Sequence, residues 1–329
     1  MAGGQINTIP LVDLRDKAKD PEAFAKAFGA ALKGFGFVRL VGHGISDEII
    51  SEADEAGRRF WALPTATKDK YASGAYGPDT GNGVCYVRNG EYALSSTKVD
   101  VKEELGINGA SKAPHSAIEM LNAITEVPDL GAKTMRLYEK FEDIAKSLMG
   151  SIAVYSGESE RYFDDWFKER TAYMRQLNYP EKGNAEGHLD FSMLTLLHVS
   201  DDGLKVRSRK GQEFAIGPAK GELIINGGMQ LDLITNLDIR SSWHWVEADR
   251  PRTSLPFFLH PMEHVVLQPL PKFRANPPAN VPSYFPPRDE NGLYAITTGD
   301  FNAMRRKEIY DKQQDKAKAR QSLQDQLAI

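Results

Sequence analysis

The chain is poor in cysteine and contains no long apolar run, and each absence excludes a class of protein. Its 329 residues include a single cysteine, Cys85, so no intramolecular disulfide can form. One cysteine is typical of a reducing compartment, and we therefore predict a cytoplasmic protein. No stretch approaches the roughly 20 apolar residues that span a bilayer, and the N-terminus lacks the basic start and apolar run of a signal peptide. We expect no association with a membrane.

An excess of basic residues is also absent. The formal net charge is −4, whereas nucleic-acid-binding proteins are usually basic, so we expect no nucleic-acid partner. Hydrophobic residues make up 41% and charged residues 26% of the chain, as in ordinary globular proteins. The sequence leaves the oligomeric state open.

The periodicity of apolar residues changes near Thr171. Before it, helical spacing dominates; Phe24, Phe28 and Leu32, for example, recur every four residues. After it, short strand-like segments follow one another, which favours a sandwich or barrel. We predict strands at about 171–179, 188–199, 203–209, 212–216, 222–226, 243–247, 253–260 and 264–268. The predicted fold is mainly β with flanking α-helices.

No repeat or linker divides the chain, and we predict one catalytic domain over residues 1–329. An N-terminal helix and strand region would occupy 1–170, a strand-rich core 171–268, and a tail with a possible lid helix 269–329. Residues 72–100, which are rich in glycine and tyrosine, read as a long loop. Within it Tyr86, Arg88 and Tyr92 are candidates to face a substrate, although a solvated loop is an equal alternative.

Three residues carry the clearest chemical pattern. On an extended strand, His188 and Asp190 would project to the same face, and a later strand could bring His244 to them. Two imidazoles and one carboxylate form the facial triad that holds non-haem Fe(II) and leaves coordination positions open. A His-x-Asp pair alone is weak evidence, because it arises by chance in many chains of this length and each histidine taken alone is more often an ordinary core or surface residue.

The surrounding sequence makes the pattern specific. His188-Leu-Asp190 is followed downstream by His244, and then by Arg252-Thr-Ser254. Together with Gly42-His43-Gly44 near the N-terminus, this series resembles the isopenicillin N synthase-like family of Fe(II)- and 2-oxoglutarate-dependent oxygenases. The resemblance covers most of the chain. It implies a double-stranded β-helix, or jelly-roll, whose open end holds iron.

The resemblance also implies a role for each motif residue. His188, Asp190 and His244 would bind Fe(II), while Arg252 and Ser254 would hold a carboxylate that Tyr179 also contacts. A guanidinium fork suits that task because it can bind both carboxylate oxygens. The implied reaction uses O2 and 2-oxoglutarate as co-substrate and releases succinate and CO2. A small molecule, such as an amino acid, a peptide or a specialised metabolite, would be hydroxylated, desaturated or cyclised.

Other interpretations stay open. Isopenicillin N synthase keeps the Arg-x-Ser pair for its substrate's own carboxylate, so a 2-oxoglutarate-independent oxidase is the alternative. A non-catalytic binding protein on the same scaffold is more remote, because the ligand set is complete. Leu189, Met229 and Trp245 depart from common family residues, and Trp245 could reshape the pocket or pack elsewhere. If the substrate is anionic, Arg88 is a candidate partner.

Overall fold

The computed structural model describes residues 9–72, 84–88, 100–108, 121–275, 278–290, 292–309 and 311. The strands are β1 Leu11–Asp13, β2 Phe37–Val41, β3 Val84–Val87, β4 Glu103–Asn108, β5 Tyr173–Tyr179, β6 Asn184–His188, β7 Leu194–Val199, β8 Leu204–Arg207, β9 Glu213–Ile216, β10 Leu223–Gly227, β11 His244–Glu247, β12 Arg252–Leu259, β13 Val266–Leu267 and β14 Ile296–Thr297. The α-helices are α1 Asp16–Lys19, α2 Pro21–Gly34, α3 Asp47–Trp61, α4 Thr65–Lys68, α5 Leu130–Tyr155, α6 Met229–Ile234 and α7 at 298–309.

Local sequence explains where the main helices begin. The Asp20 side chain accepts a hydrogen bond from the Ala23 backbone N–H, and Pro21 occupies the first turn of α2, where a missing N–H costs little. Ser46 caps α3 in the same way, by accepting from Ile49. The apolar stripe predicted for α2 is buried, and so is the apolar stripe of α5, so both helices pack their apolar faces on the sheet side of the molecule.

Two sheets form the jelly-roll core. The larger sheet has the strand order β1-β2-β10-β7-β12-β5-β4-β3, and the smaller has the order β6-β11-β8-β9. Along each strand of the larger sheet, side chains alternate between a face turned towards the helices and a face turned towards the smaller sheet. We call the second face the inner face. Gln176 lies on the helix side, where its Nε2 donates to Thr134 of α5, whereas its neighbour Leu177 lies on the inner face.

Each face of the larger sheet has its own apolar core. The core on the helix side includes residues of α2, α3, α5 and the sheet, whereas a smaller core fills the space between the two sheets. The inner core contains Phe37, Leu177, Tyr179, Ala185, Val199, Leu204, Val206, Ile224 and Val246. Because this core is small, it leaves one part of the barrel interior for polar residues, and the motif residues lie there.

Several predicted segments differ from the structure. The segment predicted as one strand, 188–199, is two strands, because β6 ends at His188 and β7 begins at Leu194. Asp190 therefore lies just beyond the strand. The predicted loop at 72–100 contains β3, which pairs with β4, and the helix predicted within the C-terminal tail begins at residue 298. Sequence periodicity could not show β3, since its stabilising partner is a separate strand that follows a long intervening segment.

Within the described residues, no helix combines the length and the apolar character that a membrane span requires. The longest helix, α5, buries one stripe of apolar residues against the sheet and carries charged residues elsewhere. Its pattern is that of an amphipathic helix on a folded core.

Candidate metal and co-substrate site

His188, Asp190 and His244 converge in the structure as the sequence predicted. His188 and His244 are directly paired across β6 and β11, and their ring centroids lie 4.3 Å apart. Asp190 Oδ1 lies 3.7 Å from His188 Nε2 and 3.6 Å from His244 Nε2. One ligand atom from each residue falls within 4.8 Å of the others. This spacing suits three ligands on one side of a single metal ion.

The backbone orients both imidazoles towards the common point. His188 Nδ1 lies 2.8 Å from the carbonyl oxygen of Glu186, and His244 Nδ1 lies 3.0 Å from that of Ser242. Each Nδ1–H can donate to its carbonyl, which leaves the Nε2 lone pair for a metal. Burial lowers the pKa of His188 to about 3, and the neighbouring His244 acts in the same direction. The imidazole of His188 is therefore neutral, which is the form that binds metals.

The Asp190 carboxylate is held by two further side chains. The Thr195 hydroxyl donates to Oδ2 at 2.7 Å, and Asn226 Nδ2 donates to the same oxygen at 2.9 Å. Oδ1 is the oxygen that faces the histidines. Burial acts to raise the pKa of Asp190, but the two imidazoles and these two donors outweigh it and lower that pKa. The carboxylate is therefore ionised and aligned before any metal binds.

A close backbone approach positions the segment that carries Asp190. The carbonyl oxygen of Asp190 accepts from the Met229 N–H at 2.7 Å, and Gly228 N–H donates to the Met193 carbonyl at 3.1 Å. A Cβ at Gly228 would lie 2.3 Å from the carbonyl oxygen of Ser192. Because only glycine permits this approach, Gly228 is required at this position. The next residue, Met229, is one that departs from the common family pattern.

Arg252, the first residue of β12, provides a buried positive charge. Its side chain is 1% exposed, and its Nε and Nη1 have no hydrogen-bond partner within the described residues. Burial lowers the pKa of Arg252, although a guanidinium stays charged at neutral pH. A buried charge without a partner is costly, and such a group is normally satisfied by a ligand.

Tyr179 and Ser254 complete this pocket. Tyr179 pairs directly with Arg252 across β5 and β12, and Arg252 Cζ lies 5.1 Å from the centroid of the Tyr179 ring. Ser254 projects to the same inner face two residues along β12 and is also buried. The three donors fit a carboxylate, and the triad fits an Fe(II) ion. The residues present therefore match both groups of a metal and keto-acid site.

Sequence comparisons agree with this geometry. Residues 9–129 match the family described as non-haem dioxygenase in morphine synthesis N-terminal, and residues 170–261 match the 2OG-Fe(II) oxygenase superfamily. Flavanone 3-dioxygenase 2 from Oryza sativa subsp. japonica is 30% identical over 292 residues, which cover 80% of this chain and 77% of that protein. The chain belongs to the Fe(II)- and 2-oxoglutarate-dependent oxygenases. Fe(II), 2-oxoglutarate and O2 are the cofactor and co-substrates of this family, as the sequence resemblance implied.

The oxygenase has further relatives. Isopenicillin N synthase from Amycolatopsis lactamdurans is 24% identical over 89% of this chain and 93% of that protein. A solved 2OG-Fe(II) oxygenase family protein from Caulobacter crescentus has a TM-score of 0.75 and 27% identity, covering 92% of this chain and 99% of its own. A Neurospora crassa protein solved in complex with alpha-KG and thymine has the same fold, with a TM-score of 0.75 and 20% identity over 93% of this chain and 99% of its own. The predicted family, enzyme class and jelly-roll core are thus confirmed.

Of the three predicted substrate residues, the structure describes Tyr86 and Arg88. Tyr86 pairs with Leu105 on the helix side of the larger sheet, and its hydroxyl donates to Glu103 Oε1 at 2.6 Å. Arg88 follows β3, and its Nε lies 2.5 Å from Asp69 Oδ1. Tyr92 lies outside the described residues. The substrate role of these three side chains remains a prediction.

One departure from the family pattern, Trp245, directs its side chain away from the metal ligands. Trp245 packs on the outside of the smaller sheet, where its Nε1 donates to Glu247 at 3.2 Å and Arg207 Cζ lies 5.5 Å from its ring. It therefore packs away from the pocket, which was one of the two alternatives.

Thr195 and Asn226, which hold the Asp190 carboxylate, were not predicted as site residues. The inward alternation of β7 and β10 could have indicated them.

Proposed function

We propose that this oxygenase binds Fe(II) through His188, Asp190 and His244 and holds the distal carboxylate of 2-oxoglutarate with Arg252, Ser254 and Tyr179. The observation that carries the second assignment is the buried Arg252 guanidinium, which has two nitrogens without partners in the described residues. Its position on β12 allows a bidentate contact with a carboxylate. One catalytic domain would then contain both binding sites.

The side chains around the site prepare it for binding. Thr195 and Asn226 hold the Asp190 carboxylate with one oxygen towards the histidines. The apolar core between the two sheets excludes water around Arg252, which strengthens its attraction for a carboxylate. When bound, iron and the keto acid supply the oxidising chemistry, with decarboxylation to succinate and CO2. The protein contributes alignment and a dry pocket.

The expected outcome is oxidation of a small molecule by hydroxylation, desaturation or ring closure. Relatives are named flavanone 3-dioxygenase and gibberellin 20 oxidase, and a structural neighbour was solved with thymine. These names differ in substrate, so they support a small molecule in general, including the specialised metabolites predicted from the sequence. A cytoplasmic location remains a prediction that depends on the single cysteine.

The second candidate function is oxidation without 2-oxoglutarate. The similarity to isopenicillin N synthase, which covers 93% of that protein, favours keeping this alternative. In this case Arg252 and Ser254 would hold the carboxylate of the substrate itself. The geometry of the pocket serves both functions, because a carboxylate has the same shape in either molecule.

An anaerobic titration distinguishes the two functions. The protein is loaded with Fe(II), 2-oxoglutarate is added, and the weak visible charge-transfer band of a chelated keto acid is recorded. We expect the band in the native protein and a loss of at least ten-fold in apparent affinity for 2-oxoglutarate in Arg252→Gln. Arg207→Gln, which changes an exposed arginine paired with Glu213, serves as the matched control. Iron binding without a band would favour the oxidase.

A further inference from the structure

The strand that carries His188 contains a β-bulge just before that residue. In the pairing of β6 with β11, His188 lies opposite His244. The next pair is Ala185 with Val246, so two residues of β6 face a single residue of β11. A bulge turns the side chain that follows it, but it takes its own backbone groups out of the regular ladder. The position of His188 therefore depends on what holds the two bulge residues.

The Asp100 side chain holds the first of these residues, Glu186. Asp100 Oδ1 accepts a hydrogen bond from the Glu186 backbone N–H at 2.9 Å. The carbonyl oxygen of Glu186 lies 2.8 Å from His188 Nδ1, and this is the contact that orients the imidazole. The backbone of Glu186 is thus held by a carboxylate at its N–H and contacts a candidate metal ligand through its carbonyl. Asp100 and His188 are linked through this one residue.

Asp100 is itself fixed with respect to both sheets. The next residue, Val101, exchanges two backbone hydrogen bonds with Asn184 of β6, at 3.1 and 3.2 Å. Lys102 Nζ lies 3.1 Å from Asp100 Oδ2, and both side chains are buried. The chain then continues into β4 of the larger sheet at Glu103. Asp100 therefore joins the bulge in the smaller sheet to a segment that is continuous with the larger sheet.

The second imidazole has a similar support in a different part of the chain. Asp232 Oδ1 accepts from the Ser241 backbone N–H at 2.5 Å. The carbonyl oxygen of the following residue, Ser242, lies 3.0 Å from His244 Nδ1. For both imidazoles, a buried carboxylate holds the backbone beside the carbonyl that orients the ring, as Asp100 does for the first. This repetition in two unrelated segments favours a role in aligning the imidazoles over a role in folding alone.

We propose that Asp100 is a positioning residue for His188, which it aligns by holding the Glu186 backbone. With His188 Nε2 already directed towards Asp190 and His244, a metal ion meets a preformed set of ligands, and less conformational freedom is lost on binding. The proposal rests on the proposed function, because it assumes that His188 binds Fe(II). In this role Asp100 acts through the backbone and needs no contact with the metal or the substrate.

The simpler alternative is that Asp100 contributes only to the stability of the fold. Removal of one partner from a buried ion pair typically destabilises a protein, because the other charge loses its compensation. Asp100→Asn alone would take the counter-charge from Lys102, and a loss of Fe(II) affinity could then follow from partial unfolding. The test therefore removes the charge of both residues and varies only the hydrogen-bond acceptor.

Two double variants separate the hydrogen bond from the ion pair. Lys102→Met/Asp100→Asn keeps a side-chain oxygen that can accept from the Glu186 N–H, whereas Lys102→Met/Asp100→Ala does not. Both are titrated anaerobically with Fe(II) in a calorimeter, and urea unfolding without metal gives the stability of each. We expect the alanine variant to bind Fe(II) about ten-fold more weakly than the asparagine variant, because outer contacts orient metal ligands. Equal affinities in the two variants would overturn the proposal.

Glu103→Gln/Lys68→Met is the matched control. It removes another largely buried ion pair, in which Lys68 Nζ and Glu103 Oε1 lie 2.6 Å apart on the helix side of the larger sheet. The control should keep the Fe(II) affinity of native protein even if its free energy of unfolding is lower. If the control loses as much affinity as the alanine variant, general loosening of the fold explains the result and the positioning role is rejected.

Bound Co(II) gives a readout that stability alone does not change. Its visible absorption depends on the number and arrangement of its ligands, so it reports whether His188 still coordinates from the native direction. At metal concentrations that fill the site, we expect the asparagine variant and the control to give the native spectrum and the alanine variant to differ from it. A native spectrum in the alanine variant would overturn the proposal.

His188→Ala distinguishes failure of this proposal from failure of the proposed function. If His188→Ala binds Fe(II) as tightly as native protein, His188 is not a metal ligand and both fail. If His188→Ala binds Fe(II) far more weakly but the two Asp100 variants bind it equally, the metal assignment stands and only the positioning role fails.

Discussion

The Thr195 hydroxyl donates to Asp190 Oδ2 at 2.7 Å, and this contact leaves Oδ1 of the same carboxylate directed towards the two histidines. Thr195→Val keeps the shape of the side chain but removes the donor. Because outer hydrogen bonds orient metal ligands, we expect the affinity for Fe(II) to fall about 10- to 100-fold. Anaerobic titration with Fe(II), followed by calorimetry, measures the change.

Thr253→Val is the matched control for that experiment. Thr253 is also a buried threonine whose hydroxyl donates to a carboxylate, that of Asp54, but it lies on the helix side of β12. Loss of the Thr253 hydroxyl should lower the free energy of unfolding without altering the affinity for Fe(II). Equal losses of affinity in Thr195→Val and Thr253→Val would show that the effect is a general consequence of destabilisation.

Arg252→Met should make the ligand-free protein more stable. The native guanidinium is buried without a full set of partners in the described residues, so its removal relieves a desolvation cost. We expect the free energy of unfolding to rise by about 1 kcal/mol or more, while the stabilisation that 2-oxoglutarate gives to native protein is lost. Thermal unfolding with and without 2-oxoglutarate measures both effects. A less stable variant that still responds to 2-oxoglutarate would contradict the assignment.

Asp232 should make stability depend on pH between about 4 and 6. Its buried carboxyl accepts from the Ser241 hydroxyl at 2.6 Å and from the Tyr284 hydroxyl, yet burial is the larger effect and raises its pKa to about 6. In this window the folded state holds a proton that the unfolded state has released. Stability therefore falls as pH rises through the window and levels off above it, by roughly 2–3 kcal/mol in total.

Asp232→Asn isolates this contribution. Urea unfolding at pH 4.5 and pH 7 is compared between the variant and native protein, because all other titrating groups contribute equally to both. The native protein should lose more stability than the variant between these pH values. An identical pH dependence would mean that Asp232 titrates as an ordinary carboxyl.

Glu103 should be a major stability residue, although it lies on the helix side of the larger sheet. Its carboxylate accepts from Lys68 Nζ and from the Tyr86 hydroxyl, both at 2.6 Å, and from Asn178 Nδ2 at 2.9 Å. Glu103→Gln would leave the buried ammonium of Lys68 without its counter-charge, which typically costs about 3–5 kcal/mol. Chemical denaturation measures the loss. The double variant Glu103→Gln/Lys68→Met should recover much of it, and no recovery would contradict the ion-pair explanation.

Part of the fold could be predicted because it depends on neighbours in sequence. The spacing of Phe24, Phe28 and Leu32 predicts the buried face of α2, and Asp20 caps that helix locally. β3 could not be predicted in this way, since its partner β4 follows a long intervening segment. The side of the sheet on which Tyr86 lies depends on that register, and a shift of one residue would reverse it.

The sequence by itself determined the chemistry of the site. Two histidines, an aspartate and an Arg-x-Ser pair limit the metal and the anion that can bind, because side-chain type sets ligand preference. Only the tertiary structure decided that Thr195 and Asn226 hold Asp190, and that Tyr86 lies on the helix side of the larger sheet, where it donates to Glu103. These relationships depend on strand register and burial, which arise from contacts between segments far apart in the chain.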